Sequence, residues 1–133
     1  MNTGKAGQRT SSRYITFNGC RCNGLQCDCC VGIDLANSPH HEVCLIIQII
    51  PNEVTLKGTI RLDGNDIYTG QLDPSVAPVC LPPLPSVCLA INHVDLQKRQ
   101  ACTKLTFVVF TLVKFPCIGQ QNGQLVVEAN TYV

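Results

Sequence analysis

Hydrophobic positions along this chain recur with a period of two, and the helical spacing of three or four is nearly absent. The clearest run covers residues 53–62. Val54, Leu56, Ile60 and Leu62 fall on one face, and Glu53, Thr55, Lys57, Thr59 and Arg61 on the other, which predicts a strand with core on one side and water on the other. Asp63-Gly64-Asn65 follows at once; Gly and Asn accept positive φ, so a tight turn and a return strand over 66–72 are expected. A second hairpin is expected about residues 97–100. Its outgoing arm, 101–115, reads as one long strand: Leu105, Phe107, Val109, Val113 and Phe115 share a face, and the other face runs Lys104, Thr106, Val108, Phe110, Leu112, Lys114, apolar in the middle with lysine at both ends. In the incoming arm, 86–96, Val87, Leu89 and Ile91 are in step while Val94 and Leu96 are not, the signature of a β-bulge near Asn92-His93. Residues 43–50 are apolar on both faces, which suits a central strand, and Leu125, Val127 and Ala129 mark a short final one. Residues 73–85 hold Pro74, Pro78, Pro82, Pro83 and Pro85. Prolines cannot serve in a central ladder, so this stretch is expected to cross between sheets as an extended connector.

These elements predict an all-β fold, a single antiparallel β-sandwich or a small barrel. At 133 residues the chain has the size of one domain. That domain is placed over 14–133, behind a flexible basic tail at 1–13 in which Lys5, Arg9 and Arg13 meet no acid. With 45% of residues hydrophobic and 14% charged, the chain is not disordered. A formal net charge of +1 leaves no global field to attract nucleic acid or anionic lipid, and no nucleic-acid partner is expected. The longest apolar runs, 43–50 and 105–113, are too short to span a bilayer as helices, so no transmembrane segment is expected.

Ten cysteines change the picture: Cys20, Cys22, Cys27, Cys29, Cys30, Cys44, Cys80, Cys88, Cys102 and Cys117. An even, high count in a small chain indicates disulfides, and disulfides persist outside the cytosol. The expectation is therefore a secreted, extracellular protein. Its start, Met1-Asn2-Thr3-Gly4-Lys5, lacks the apolar core of a signal peptide, as expected of a mature form whose leader has been removed. In an extended cluster, Cys20 and Cys22 share a side, Cys27 and Cys29 share a side, and Cys30 points away from Cys29. Adjacent cysteines rarely bond to each other, so Cys29 and Cys30 are each expected to seek a distant partner among Cys44, Cys80, Cys88, Cys102 and Cys117. The result would be an N-terminal cysteine-rich knot stitched across the sheets, with pairings left open. Zinc is the rival use of such thiols, with His40, His41 or His93 as further ligands, but the five remaining cysteines form no second cluster. No metal or cofactor is expected, and His40-His41 read as part of a polar loop beside Pro39.

The run C-x-C-x4-C-x-C-C from Cys20 to Cys30, followed by Val31-Gly32-Ile33-Asp34-Leu35, resembles a family of secreted, cysteine-rich domains of unknown function found mostly in arthropods and other invertebrates. The likeness continues through Val79-Cys80-Leu81-Pro82, Val87-Cys88-Leu89 and Ala101-Cys102, and ends near Phe115-Pro116-Cys117-Ile118. It covers roughly residues 20–118, most of the chain. The resemblance implies a secretory precursor and brings no activity, ligand or catalytic residue.

A hydrolase needs a nucleophile, a base and an orienting group. No G-x-S-x-G elbow or phosphate-cradling glycine loop is present, and Asp63-x-Asn65 lacks the glycine and glutamate of a calcium loop. The expected function is a non-enzymatic structural or interaction module whose partner is itself or another extracellular protein. Its contact face would be an apolar β-surface drawn from Val108, Phe110, Leu112, Ile46 and Ile50. The alternative is a carrier in which the same residues line a cavity for a small apolar, lipid-like ligand.

Overall fold

The computed structural model describes residues 15–35, 39–50, 52, 55–73 and 75–128. The expected tail at 1–13, and Glu53, Val54, Pro74 and Ala129, lie outside them. The described residues are strands and turns, without helix. The strands are β1 (Ile15–Asn23), β2 (Gln26–Ile33), β3 (His41–Ile49), β4 (Leu56–Leu62), β5 (Asn65–Leu72), β6 (Val79–Leu81), β7 (Leu84–Asp95), β8 (Gln100–Phe107), β9 (Phe110–Lys114), β10 (Cys117–Gln121) and β11 (Gln124–Glu128). The first five form one antiparallel sheet in chain order; the second is ordered β11-β10-β8-β7-β6, with β9 also paired to β8. The sheets pack face to face and stay open at their edges, so the fold is the sandwich and not the barrel.

The doubly apolar stretch is the middle strand of the first sheet. On β3, Val43, Leu45, Ile47 and Ile49 are buried in the core with Leu89, Leu105, Ile118 and Leu125 of the second sheet. Burying each such side chain is worth about 1.5–3 kcal/mol. The rings of Phe17 and Phe115 meet across the layers, centroids 5.8 Å apart and tilted by 55°. Ile46 points outward, yet Asp28 and Thr59 flank it on the neighbouring strands and leave it 5% exposed. Thr59 is itself buried, with the Thr69 hydroxyl 3.4 Å away; β4 therefore presents less of its polar face to water than its alternation implies. On its inner face Gly58 makes room for Leu72, whose Cδ2 would lie 2.7 Å from a Cβ added there.

The Asp63-Gly64 turn forms as expected, with positive φ at both residues and Asn65 opening β5. The β7–β8 hairpin and its bulge between Ile91 and His93 are also present. Two expectations are corrected. Residues 101–115 are two strands, not one: the chain reverses at Val108-Val109 and places Phe110 opposite Phe107. This reversal uses none of the usual turn residues, which is why the alternation reads straight through it. The proline-rich connector is also shorter than expected. Residues 79–81 form β6, an edge strand where proline neighbours are tolerated.

Five disulfides use all ten cysteines: Cys20–Cys29, Cys22–Cys27, Cys30–Cys44, Cys80–Cys88 and Cys102–Cys117. Each joins neighbouring strands of one sheet, so the expected stitching across the sheets is absent. The reason is register. Cys29 faces inward and lies directly opposite Cys20 on β1, while Cys30 faces outward and lies opposite Cys44 on β3. Facing residues of an antiparallel pair come within bonding reach without any chain movement. Only Cys30 takes a partner outside the N-terminal cluster.

Candidate contact surface

The largest exposed apolar feature grows out of the β8–β9 hairpin. Leu105 and Val113 anchor its base in the core. A bulge at Leu112 then shifts the register, and the strands run on to the Phe107–Phe110 pair and the two-residue turn. Phe107, Val108, Val109 and Phe110 are 40%, 63%, 82% and 68% exposed. The turn is tied down by one backbone bond, in which the Val108 N–H donates to Ser86 O at 2.9 Å. Val108 sits at φ 55°, a left-handed conformation that a β-branched residue adopts only against steric cost. Three other hairpin turns of the chain place Gly24, Gly64 and Gly123 at positive φ. The tip instead carries Val108 where glycine or asparagine would relieve the backbone. Behind it, Lys104 and Lys114 lie directly opposite each other, and among the described residues neither has an ion-pair partner.

The residues expected to form the contact surface divide. Val108 and Phe110 lie at the tip. Leu112 is half-buried against the core, Ile46 is buried, and Ile50 lines an open 210 Å³ hollow beside Thr55, Lys57 and Gln71 on the first sheet. The structure does not bring these five together. It adds Phe107 and Val109, which alternation sets on the opposite face from Val108 and Phe110. Between the sheets, the cavity lined by Leu45, Ile60, Tyr68, Leu72, Leu89 and Ile91 has a volume of about 10 Å³, the room of about one water.

Polar chemistry gathers on the outer face and end of the first sheet. His41 is 9% exposed, and its Nδ1 lies 2.6 Å from Asp63 Oδ2; it joins β3 to the β4–β5 turn rather than standing in a loop. The His41 contact, and then the Glu42 N–H, hold the Asp63 carboxyl below the usual carboxylate range. His40 pairs with Asp34 at 2.8 Å. A hollow of about 280 Å³ is lined by Asn18, Gly19, Arg21, Asp28, Cys30 and Glu42. Ligand atoms of Cys30, Glu42 and Cys44 lie within 4.8 Å of one another, but the two sulfurs are bonded to each other. Glu42 alone remains, and one carboxylate does not make a metal site.

Residues 19–122 match a family described as Domain of unknown function (DUF4773). The chain belongs to this family. The DUF4773 match runs from the bulge in β1 to the β10–β11 turn, and so takes in all five disulfides and the whole β8–β9 hairpin. No curated protein and no solved structure matches this DUF4773 chain.

Proposed function

We propose that this DUF4773 domain is a secreted, non-enzymatic interaction module whose contact element is the β8–β9 hairpin tip. One observation carries the reading: four consecutive apolar residues, Phe107 to Phe110, stand exposed on a strained turn. Exposed apolar clusters of this kind mark interaction sites, and strain retained at an exposed position points to function there. Ten cysteines paired in five bonds, and no helix among the described residues long and apolar enough to cross a membrane, are compatible with an extracellular setting. Self-association through the tip is the rival form of the contact, read out by light scattering. The carrier reading draws no support from the cavity between the sheets, since an apolar ligand needs roughly 300 Å³ or more against about 10 Å³ there.

The test is Val109→Asp combined with Phe110→Ser. Circular dichroism should be unchanged and no free thiol should appear, while retention on an alkyl-chain matrix falls sharply. Any concentration-dependent association seen by light scattering should fall with it. Retention equal to the parent protein would remove the tip from the reading.

A further inference from the structure

We infer that the β8–β9 hairpin docks on an anionic lipid bilayer, with Phe107, Val108, Val109 and Phe110 in the interfacial layer and Lys104 and Lys114 against the headgroups. The inference rests on the preceding reading of the tip as a contact surface and names its partner. Four observations converge on that partner.

The first is the order of chemistry along the hairpin. An apolar, aromatic-shouldered turn is followed by the Thr106–Thr111 pair and then by the facing lysines. Lys104 precedes Phe107 by three strand positions, about 10 Å at roughly 3.3 Å per residue. An apolar surface element sinks about 5–10 Å into the headgroup boundary. Lysines at that distance meet the phosphate layer just as the tip reaches the acyl region, and phenylalanine and lysine stems suit the interface between them.

The second is unanswered charge. Like charges directly opposite on paired strands are unfavourable, and among the described residues neither lysine has an ion-pair partner. An anionic surface supplies the missing counter-charge. The third is how charge divides between the sheets. No acid occurs from Val76 to Val94 or from Leu96 to Val127. The second sheet and its turns thus set Lys98, Arg99, Lys104 and Lys114 against Asp95 and Glu128 alone. Residues 15–72 carry Asp28, Asp34, Glu42, Glu53, Asp63 and Asp66 against Arg21, Lys57 and Arg61. A hairpin borne on the basic half meets an anionic membrane without carboxylates beside it.

The fourth is shape. A standard protein interface covers roughly 800 Å² on each partner, far more than four residues on a two-residue turn present. An isologous pair of tips would also crowd four lysines around its axis, which opposes a second copy as occupant.

The experiment is vesicle flotation of the full, disulfide-intact chain, using phosphatidylcholine vesicles with and without phosphatidylserine. The parent protein should float with the anionic vesicles, bind neutral ones weakly and be released by salt. Val109→Asp, at the most exposed position of the tip, should abolish binding with its dichroism unchanged. Each lysine near an anionic surface strengthens binding roughly fivefold (about 1 kcal/mol), so Lys104→Ser with Lys114→Ser should weaken it roughly 25-fold. Failure of the parent to float with anionic vesicles, or equal flotation of Val109→Asp, overturns the inference. If vesicles are ignored but Val109→Asp abolishes self-association, the tip remains a contact surface and a second copy replaces the bilayer. If flotation, association and alkyl-matrix retention all ignore the tip variants, both readings fall.

Discussion

Asp63 shows how much one carboxylate does in this fold. It sits in the β4–β5 turn, accepts the Glu42 N–H at 2.8 Å, contacts His41, and returns its own N–H to Glu42 O at 2.8 Å, so that β3 and the turn close on each other. Its carboxyl is held below the ordinary value by the His41 contact first and the Glu42 N–H second. A depressed group contributes stability above its unfolded value near about 3.9, and that contribution is lost as pH falls through the folded value. Asp63→Asn should therefore cost about 1 kcal/mol at neutral pH, and the loss of stability below about pH 4 should be shallower than in the parent. Urea unfolding at neutral and acid pH measures both, and an unchanged acid slope would count against the arrangement. Val108 argues in the opposite direction. Its left-handed backbone costs an L-residue about 1–2 kcal/mol that asparagine largely escapes, so Val108→Asn should raise the unfolding free energy by about 1 kcal/mol while reducing alkyl-matrix retention. A destabilised variant would show that the valine is needed for folding rather than for contact.

The elements of this sandwich announce themselves where turn chemistry and alternation agree. β4, β5 and their Asp63-Gly64 turn were legible because polar and apolar residues alternate and the turn carries its own residues. The β7 bulge was legible because a phase slip in the apolar series has no other simple cause. The β8–β9 turn was not, since Val108-Val109 continues the apolar pattern on both faces and tertiary contacts override the local preference. For the same reason alternation sets Phe107 and Val109 on the opposite face from Val108 and Phe110, which hides half of the candidate contact surface. Disulfide partners were hidden for a different reason. Pairing depends on which strands are neighbours and in what register, and sequence spacing shows neither. The bonds should follow chain-entropy scaling. Replacing Cys30 and Cys44, or Cys102 and Cys117, with alanine opens loops of 14 or 15 residues and should cost about 3 kcal/mol. Replacing Cys22 and Cys27 opens a loop of 5 residues and should cost about 2 kcal/mol. Denaturant midpoints of the three double variants give the order, and equal losses would break the scaling.

At the scale of the whole molecule, a formal charge of +1 conceals an acidic stretch over residues 15–72 and a basic one over 76–128, so a count over the full chain carries no news of the local field at the hairpin. The cross-links divide at the same place. Three close within residues 20–44 and two within 80–117, and the stretch between Cys44 and Cys80 holds no cysteine. Only peptide backbone and non-covalent packing hold the layers together. A protease site engineered between Ser75 and Val76 should give a nicked protein that survives gel filtration in native buffer. In strong denaturant, without any reductant, it should fall into two separately laced hemispheres that reassemble when the denaturant is diluted away. Such a protein lends itself to production as two oxidised pieces, each proofread for its own bonds before the sandwich is closed.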